Sequence, residues 1–218
     1  TTNLSISFAL RAFGGKHGQS TKKRPLDEVL NDLAALVGMR TVKNLIRRLA
    51  VQSMFLKQRS ESGIGKVQQM NMNFVLTGNP GTGKTSLARL MGELLQSMDI
   101  LPSKNIIEVS RAQLVGKYMG ETPKIVNKYC DQAMGGVLFI DEAYTLCNGG
   151  DDQYGHEAVD TLMRRMENDR GKFVVIIAGY KDRIDAFLSE NQGLASRFTH
   201  KMNIEDYNED ELLAIIKK

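Results

Sequence analysis

From Phe74 onward, short apolar runs alternate with stretches whose apolar residues recur every three to four positions. Phe74 to Thr77, Ile106 to Val109, Val137 to Asp141, Phe173 to Ala178 and a segment around Lys201 to Ile204 have the length and content of buried strands. After the first run, Leu87, Leu90, Met91, Leu94, Leu95 and Met98 fall on one helical face. After the second, Thr122 followed by Pro123 predicts an N-cap and first-turn proline for a helix carrying Val126, Tyr129, Cys130 and Ala133. Val159, Leu162, Met163 and Met166 mark another helix after the third run. Strands alternating with helices predict βαβ units, and five of them predict a parallel, doubly wound α/β sheet sandwiched by helices.

Outside this region the pattern changes. From Pro25 it is helical, with Val42, Leu45, Ile46 and Leu49 on one face, Gly38 as punctuation and Gly63-Ile64-Gly65 as the end. Residues 1–24 alternate weakly (Leu4, Ile6, Phe8, Leu10) before a Gly-, Ser- and Lys-containing stretch, the signature of a short strand or arm followed by a linker. The expected organisation is a basic arm over 1–24, a core over 25–207 that includes the helical segment, and the start of another helix over 208–218. A first residue that is not Met, and a last residue inside an apolar helical run, make a piece of a longer protein the expectation.

Charge alters the picture little. The formal net charge is +4, but Arg11, Lys16, Lys22, Lys23 and Arg24 place +5 in the first 24 residues, so the remainder carries −1. The basicity belongs to the arm, which disfavours a nucleic-acid groove on the folded body. No run approaches the roughly 18 apolar residues of a membrane span, and Ser5, Ser7 and Arg11 interrupt the first apolar stretch, against a secretory leader. The two cysteines, Cys130 and Cys147, lack CxxC spacing, which points to a reducing, cytoplasmic setting rather than a disulfide or zinc framework. His17, His156 and His200 have no metal-ligand spacing, and most of the 11 methionines sit at core positions of the predicted helices.

The chemistry concentrates in two places. Gly78-Asn79-Pro80-Gly81-Thr82-Gly83-Lys84-Thr85 satisfies G-x-x-x-x-G-K-[ST] between an apolar strand and the strongest amphipathic helix, the context that motif requires. Its backbone N–H groups and the helix N-terminus form a cradle for phosphates. Asn79 to Ser86 are therefore the candidate ATP-binding residues, with Lys84 on the β- and γ-phosphates and the Thr85 hydroxyl on Mg²⁺. Val137 to Ile140 then delivers Asp141 and Glu142 at a strand's carboxyl end, where α/β sheets bind ligands. Asp141 is the candidate Mg²⁺ partner through water, and Glu142 the group that polarises an attacking water.

With these motifs, GNPGTGK over Gly78 to Lys84, GGVLFIDEAY over Gly135 to Tyr144 and AGY over Ala178 to Tyr180, the chain resembles the CbbX and stage V sporulation protein K family of AAA+ ATPases from about Leu33 to Ile216. The resemblance implies a P-loop AAA+ core followed by a helical lid, here truncated. It places Val37 and Gly38 against adenine. It also implies a pore loop carrying Lys117, Tyr118 and Met119, an arginine finger at Arg197 acting on a neighbouring subunit, and a sensor position at Tyr180, where the wider superfamily has Asn or Thr. It further implies a homo-hexamer that binds ATP and ADP and uses hydrolysis to pull on a protein client. An aromatic on a mobile glycine-flanked loop suits gripping an extended peptide. Two rivals stay open: a nucleotide-switched interaction module with little turnover, and an AAA+ ATPase that tracks nucleic acid. A surface tyrosine at 118 and a salt-bridged arginine at 197 are the plainer alternatives for those residues.

Overall fold

A computed structural model describes residues 23–62, 72–147 and 152–217. Residues 1–22 of the arm expected over 1–24, and the stop at Gly63-Ile64-Gly65, lie outside the described residues. Lys23 and Arg24, counted with the arm, sit on the body: Lys23 pairs with Asp99, and Arg24 reaches Asp32 at 2.7 Å and Glu93 at 2.8 Å.

Among the described residues, five strands form one parallel sheet: β1 (Phe74–Thr77), β2 (Ile106–Val109), β3 (Val137–Ile140), β4 (Val174–Gly179) and β5 (His200–Asn203), in the spatial order β2-β3-β4-β1-β5. Because side chains alternate across a sheet, each strand feeds two cores. Phe74, Leu76, Phe139, Ile176 and Ala178 face α1 (Leu26–Ala35), α2 (Arg40–Glu61) and α3 (Lys84–Ser97). Val75, Leu138, Ile140, Val175 and Ile177 face α5 (Glu121–Gln132), α6 (Gln153–Asn168) and α7 (Lys181–Glu190). With both faces covered, β1, β3 and β4 are buried throughout and read as unbroken apolar runs. Edge strands β2 and β5 are partly exposed and tolerate Glu108 and Lys201. Short helices α4 (Arg111–Leu114) and α8 (Gln192–Ala195) and a 3₁₀ turn over Ala143–Leu146 fill the connections, and α9 (Glu209–Ile216) ends the described chain.

Four expectations change in detail. Asp141 lies just past β3, the fourth strand runs one residue later than Phe173 to Ala178, and the fifth starts and ends one residue before Lys201 to Ile204. Thr122 is not an N-cap. Helix α5 starts at Glu121 behind Gly120, and Thr122 is fully buried, its Oγ1 accepting a hydrogen bond from Gly116 N–H at 3.0 Å. The helix begins one residue before Thr122, whose hydroxyl serves the Gly116 amide instead of the helix's own N–H groups.

Candidate active site

The glycine-rich loop is shaped by close approach. A Cβ on Gly78 would lie 2.7 Å from the Ile204 carbonyl oxygen, so only glycine fits where the chain leaves β1 beside β5. Gly83, at φ +91°, is the cap of α3 and turns the loop into the helix. Within the loop, Thr82 Oγ1 donates to Asn79 O at 2.8 Å, and Lys84 Nζ donates to the carbonyls of Gly78 and Asn79 at 2.9 Å each. Lys84 is buried, so its charge acts with little solvent screening. The segment after β5 holds the loop from outside: Asn79 Nδ2 donates to Asp206 at 2.8 and 3.0 Å, and Tyr207 Oη donates to Thr82 O at 3.3 Å. Asp206 and Tyr207 carry no local motif, and sequence reasoning missed them. A Cβ on Gly83 would meet Met39 Cε at 3.3 Å, so the Val37-Gly38-Met39 turn lies against this loop, with Met39 as its contact.

Asp141 and Glu142 emerge at the same carboxyl edge. Their strand, β3, is separated from β1 by one strand. β4 lies between, pairing Thr77 with Gly179 on one side and Ile140 with Ile177 on the other. Asp141 Oδ1 accepts from Glu142 N–H at 3.0 Å. Burial pushes the Asp141 carboxyl above its ordinary value; the Glu142 N–H opposes this, the Glu142 charge adds to it, and nearby Lys84 opposes it. Glu142 adopts a left-handed backbone (φ 48°), and its Oε2 is buried with no hydrogen-bond partner. Left-handed backbone and a buried oxygen without a partner each cost free energy, and Glu142 combines the two. Half-buried Thr85 and Asp141 are hard oxygen donors of the kind Mg²⁺ takes, and an acid whose charge burial disfavours gains from a cation beside it. The residues fit that ion.

Of the remaining candidates, Arg197 lies apart from this edge. Arg197 precedes β5, and its carbonyl accepts from Asn73 Nδ2 at 3.2 Å, next to where Asn73 Oδ1 takes Val175 N–H at 2.8 Å. These contacts sit at the amino ends of β1 and β4, about 10 Å of strand away from the glycine-rich loop. The Arg197 guanidinium rests on Gly193 O at 2.6 Å and Glu167 at 3.5 Å, while its buried Nε has no hydrogen-bond partner. Tyr118 and Met119 are 71% and 83% exposed, on a loop whose base is pinned by Thr122 and by Glu121 Oε2, which accepts from the N–H groups of Lys117 and Tyr118. Tyr180 leads into α7 from the tip of β4, with the Arg183 guanidinium 5.5 Å from its ring centre.

A parallel sheet whose first strand enters a glycine-rich loop and helix, with paired acids at the same edge, defines a P-loop nucleotide-binding domain. Residues 74–206 match the family described as "ATPase family associated with various cellular activities (AAA)". The chain is 40% identical over 210 residues to stage V sporulation protein K of Bacillus subtilis, covering 96% of this chain and 63% of that protein. It is 42% identical over 199 residues to the ESX-1 secretion system protein EccA1 of Mycobacterium tuberculosis, covering 90% of this chain and 35% of that protein. The same identity and span relate it to the chloroplastic ribulose bisphosphate carboxylase/oxygenase activase of Cyanidioschyzon merolae, covering 90% of this chain and 67% of that one. The fold matches the FIGL-1 AAA domain solved with ADP, with a TM-score of 0.57 at 21% identity, over 84% of this chain and 59% of that one. The chain thus belongs to the AAA family of ATP-hydrolysing enzymes, and it spans only part of the length of these relatives. No helix among the described residues is long and apolar enough to cross a membrane.

Proposed function

We propose that this chain is the catalytic core of an Mg²⁺-dependent ATPase that assembles into a ring, a homo-hexamer, and spends hydrolysis on remodelling a protein client gripped by Lys117, Tyr118 and Met119. The single observation that carries the assembly is the separation of Arg197 from the loop around Lys84, across the length of the sheet. An arginine facing away from its own phosphate site can neutralise charge only at a neighbour's.

Residues 79–86 would bind ATP, Val37, Gly38 and Met39 would lie toward the base, and Thr85 and Asp141 would hold Mg²⁺. Bound there, the ion would neutralise phosphate charge. Glu142 would take a proton from water as the water oxygen bonds the terminal phosphorus and the bond to ADP breaks. Arg197 of one subunit would stabilise the charge developing in the next. Tyr180 would sense the terminal phosphate from the tip of β4. The exposed, base-pinned loop at Tyr118 supports a protein client. The name of the Cyanidioschyzon relative, an activase of another enzyme, points the same way.

Mixing two inactive variants tests the shared site. Lys84→Ala has no working phosphate loop and Arg197→Ala no finger, yet a mixed ring holds junctions where an intact loop meets an intact arginine. Recovery of turnover on mixing is expected. Full activity of Arg197→Ala alone, or none on mixing when both variants still assemble, refutes action between subunits.

A further inference from the structure

Asn73 belongs to no motif and takes no part in the chemistry above, yet it is buried just where β1 begins. Burying an amide is costly unless its donor and acceptor find partners. Asn73 Oδ1 takes the N–H of Val175, 102 residues on in β4, and its Nδ2 donates to the Arg197 carbonyl, 124 residues on. Val175 stands one residue before the pairing of Phe74 with Ile176, and Arg197 three residues before the pairing of Phe74 with His200. One side chain therefore ties the segment before β5 to the amino ends of β1 and β4.

The main chain of Arg197 is held more firmly than its head. Arg197 N donates to Leu194 O at 3.0 Å, and the next residue, Phe198, is buried, so the backbone is fixed on one side by α8 and on the other by Asn73. The guanidinium rests on Gly193 O and on Glu167 at 3.5 Å. The Glu167 side chain is 56% exposed, and an ion pair in that much solvent is worth about 0–1 kcal/mol. The buried Nε, without a hydrogen-bond partner, gains nothing from this resting position. A head so weakly parked can leave for a stronger anion, and its reach is then set by where the backbone is held.

We infer that Asn73 is a positioning residue for Arg197: its amide fixes the main chain from which the guanidinium extends to the terminal phosphate held by a second copy of this chain. This role rests on the action between subunits proposed above and adds the group that aims it. Misplacing a catalytic group by about 1 Å can cost on the order of 100-fold in rate. Asn73 directly precedes the strand that enters the phosphate loop, so chain order assigns it to the loop; its hydrogen bond assigns it to the arginine.

Asn73→Asp keeps an oxygen for Val175 N–H and replaces the donor to Arg197 O by a second oxygen. In the full chain, kcat is expected to fall roughly 10- to 100-fold, with the dissociation constant for ADP within about twofold of the parent because the phosphate loop is untouched. Mixing then tells which half of the shared site is damaged. With Lys84→Ala, which supplies an intact arginine, turnover should recover; with Arg197→Ala, which supplies only an intact loop, it should not. A residue that merely packs β1 beneath its own phosphate loop gives the reverse pattern. Recovery with Arg197→Ala, recovery with neither partner, or parental kcat in Asn73→Asp alone overturns the inference. If circular dichroism shows Asn73→Asp unfolded, Asn73→Ala, which removes both bonds without adding a charge, is mixed in the same way and read by the same outcomes; loss of folding in both variants marks a purely structural residue and overturns the inference too. The pair Lys84→Ala with Arg197→Ala runs alongside. Its failure to recover sinks the proposed function and leaves Asn73 no arginine to aim, whereas its recovery without that of Asn73→Asp removes the role of Asn73 alone.

Discussion

Replacing Thr122 by Val isolates one hydrogen bond with a large structural reach. Thr122 is fully buried near the start of α5, and its Oγ1 is the acceptor for Gly116 N–H at 3.0 Å. Valine keeps the branched shape and has nearly the same helix propensity, so the helix itself loses little. The amide of buried Gly116 loses its acceptor, and a buried donor without a partner costs about 1–3 kcal/mol. For a domain of this size about 2 kcal/mol corresponds to a melting-temperature drop of roughly 4–8 °C. Had Thr122 been an exposed N-cap, the loss would be about 1 kcal/mol and confined to helix fraying. Urea unfolding should therefore show a lower midpoint at unchanged slope, and hydrogen exchange should accelerate at Gly116, Lys117 and Tyr118, the base of the loop that presents Tyr118 and Met119. Thr122→Ser, which keeps the hydroxyl, should restore slow exchange at Gly116. Equal midpoints and equal Gly116 exchange in Thr122→Val and the parent would refute the reasoning.

Two further outcomes follow from the same kind of accounting. Gly78→Ala forces a Cβ to within 2.7 Å of the Ile204 carbonyl, so β5 or the phosphate loop must shift; about 1–3 kcal/mol of stability and most ADP affinity by calorimetry should go together. Burial would raise the Asp169 carboxyl, but hydrogen bonds from Lys172 and Arg165 outweigh it and hold the group below its ordinary value. Its stabilising contribution is thus present above about pH 4 and is lost as pH falls through the lower folded value. Asp169→Asn should melt below the parent at pH 7, by roughly 1 kcal/mol, and the gap should close toward pH 2 in differential scanning calorimetry.

The mapping from sequence to site was uneven, for physical reasons. The glycine-rich loop was legible because consecutive residues make it, and Gly78 and Gly83 are demanded by local backbone geometry. The buried strands were legible because a sheet covered on both faces leaves no polar position in β1, β3 or β4 apart from Thr77, which marks the end of β1. Thr122 was misassigned because the same residue pattern serves an N-cap or a loop anchor, and only the position of Gly116 chooses between them. Tyr207 fell outside any motif, and Tyr144, the last residue of the run from Gly135, was given no role, since their partners, Thr82 for the one and Gly179 and Arg183 for the other, lie far along the chain.

By itself, then, the sequence determined what depends on neighbours along the chain: which segments are strands, where the glycine-rich loop joins strand to helix and which acids leave the third strand. Tertiary structure alone decided what depends on neighbours in space. The insertion of β4 between β1 and β3 sets the gap between Lys84 and the acid pair. The location of Arg197 at the opposite edge of the sheet is settled by a hydrogen bond to Asn73, 124 residues earlier. Strand order in a parallel sheet is a choice among crossovers, and crossovers are selected by the packing of whole helices on two faces, which no local window of sequence contains.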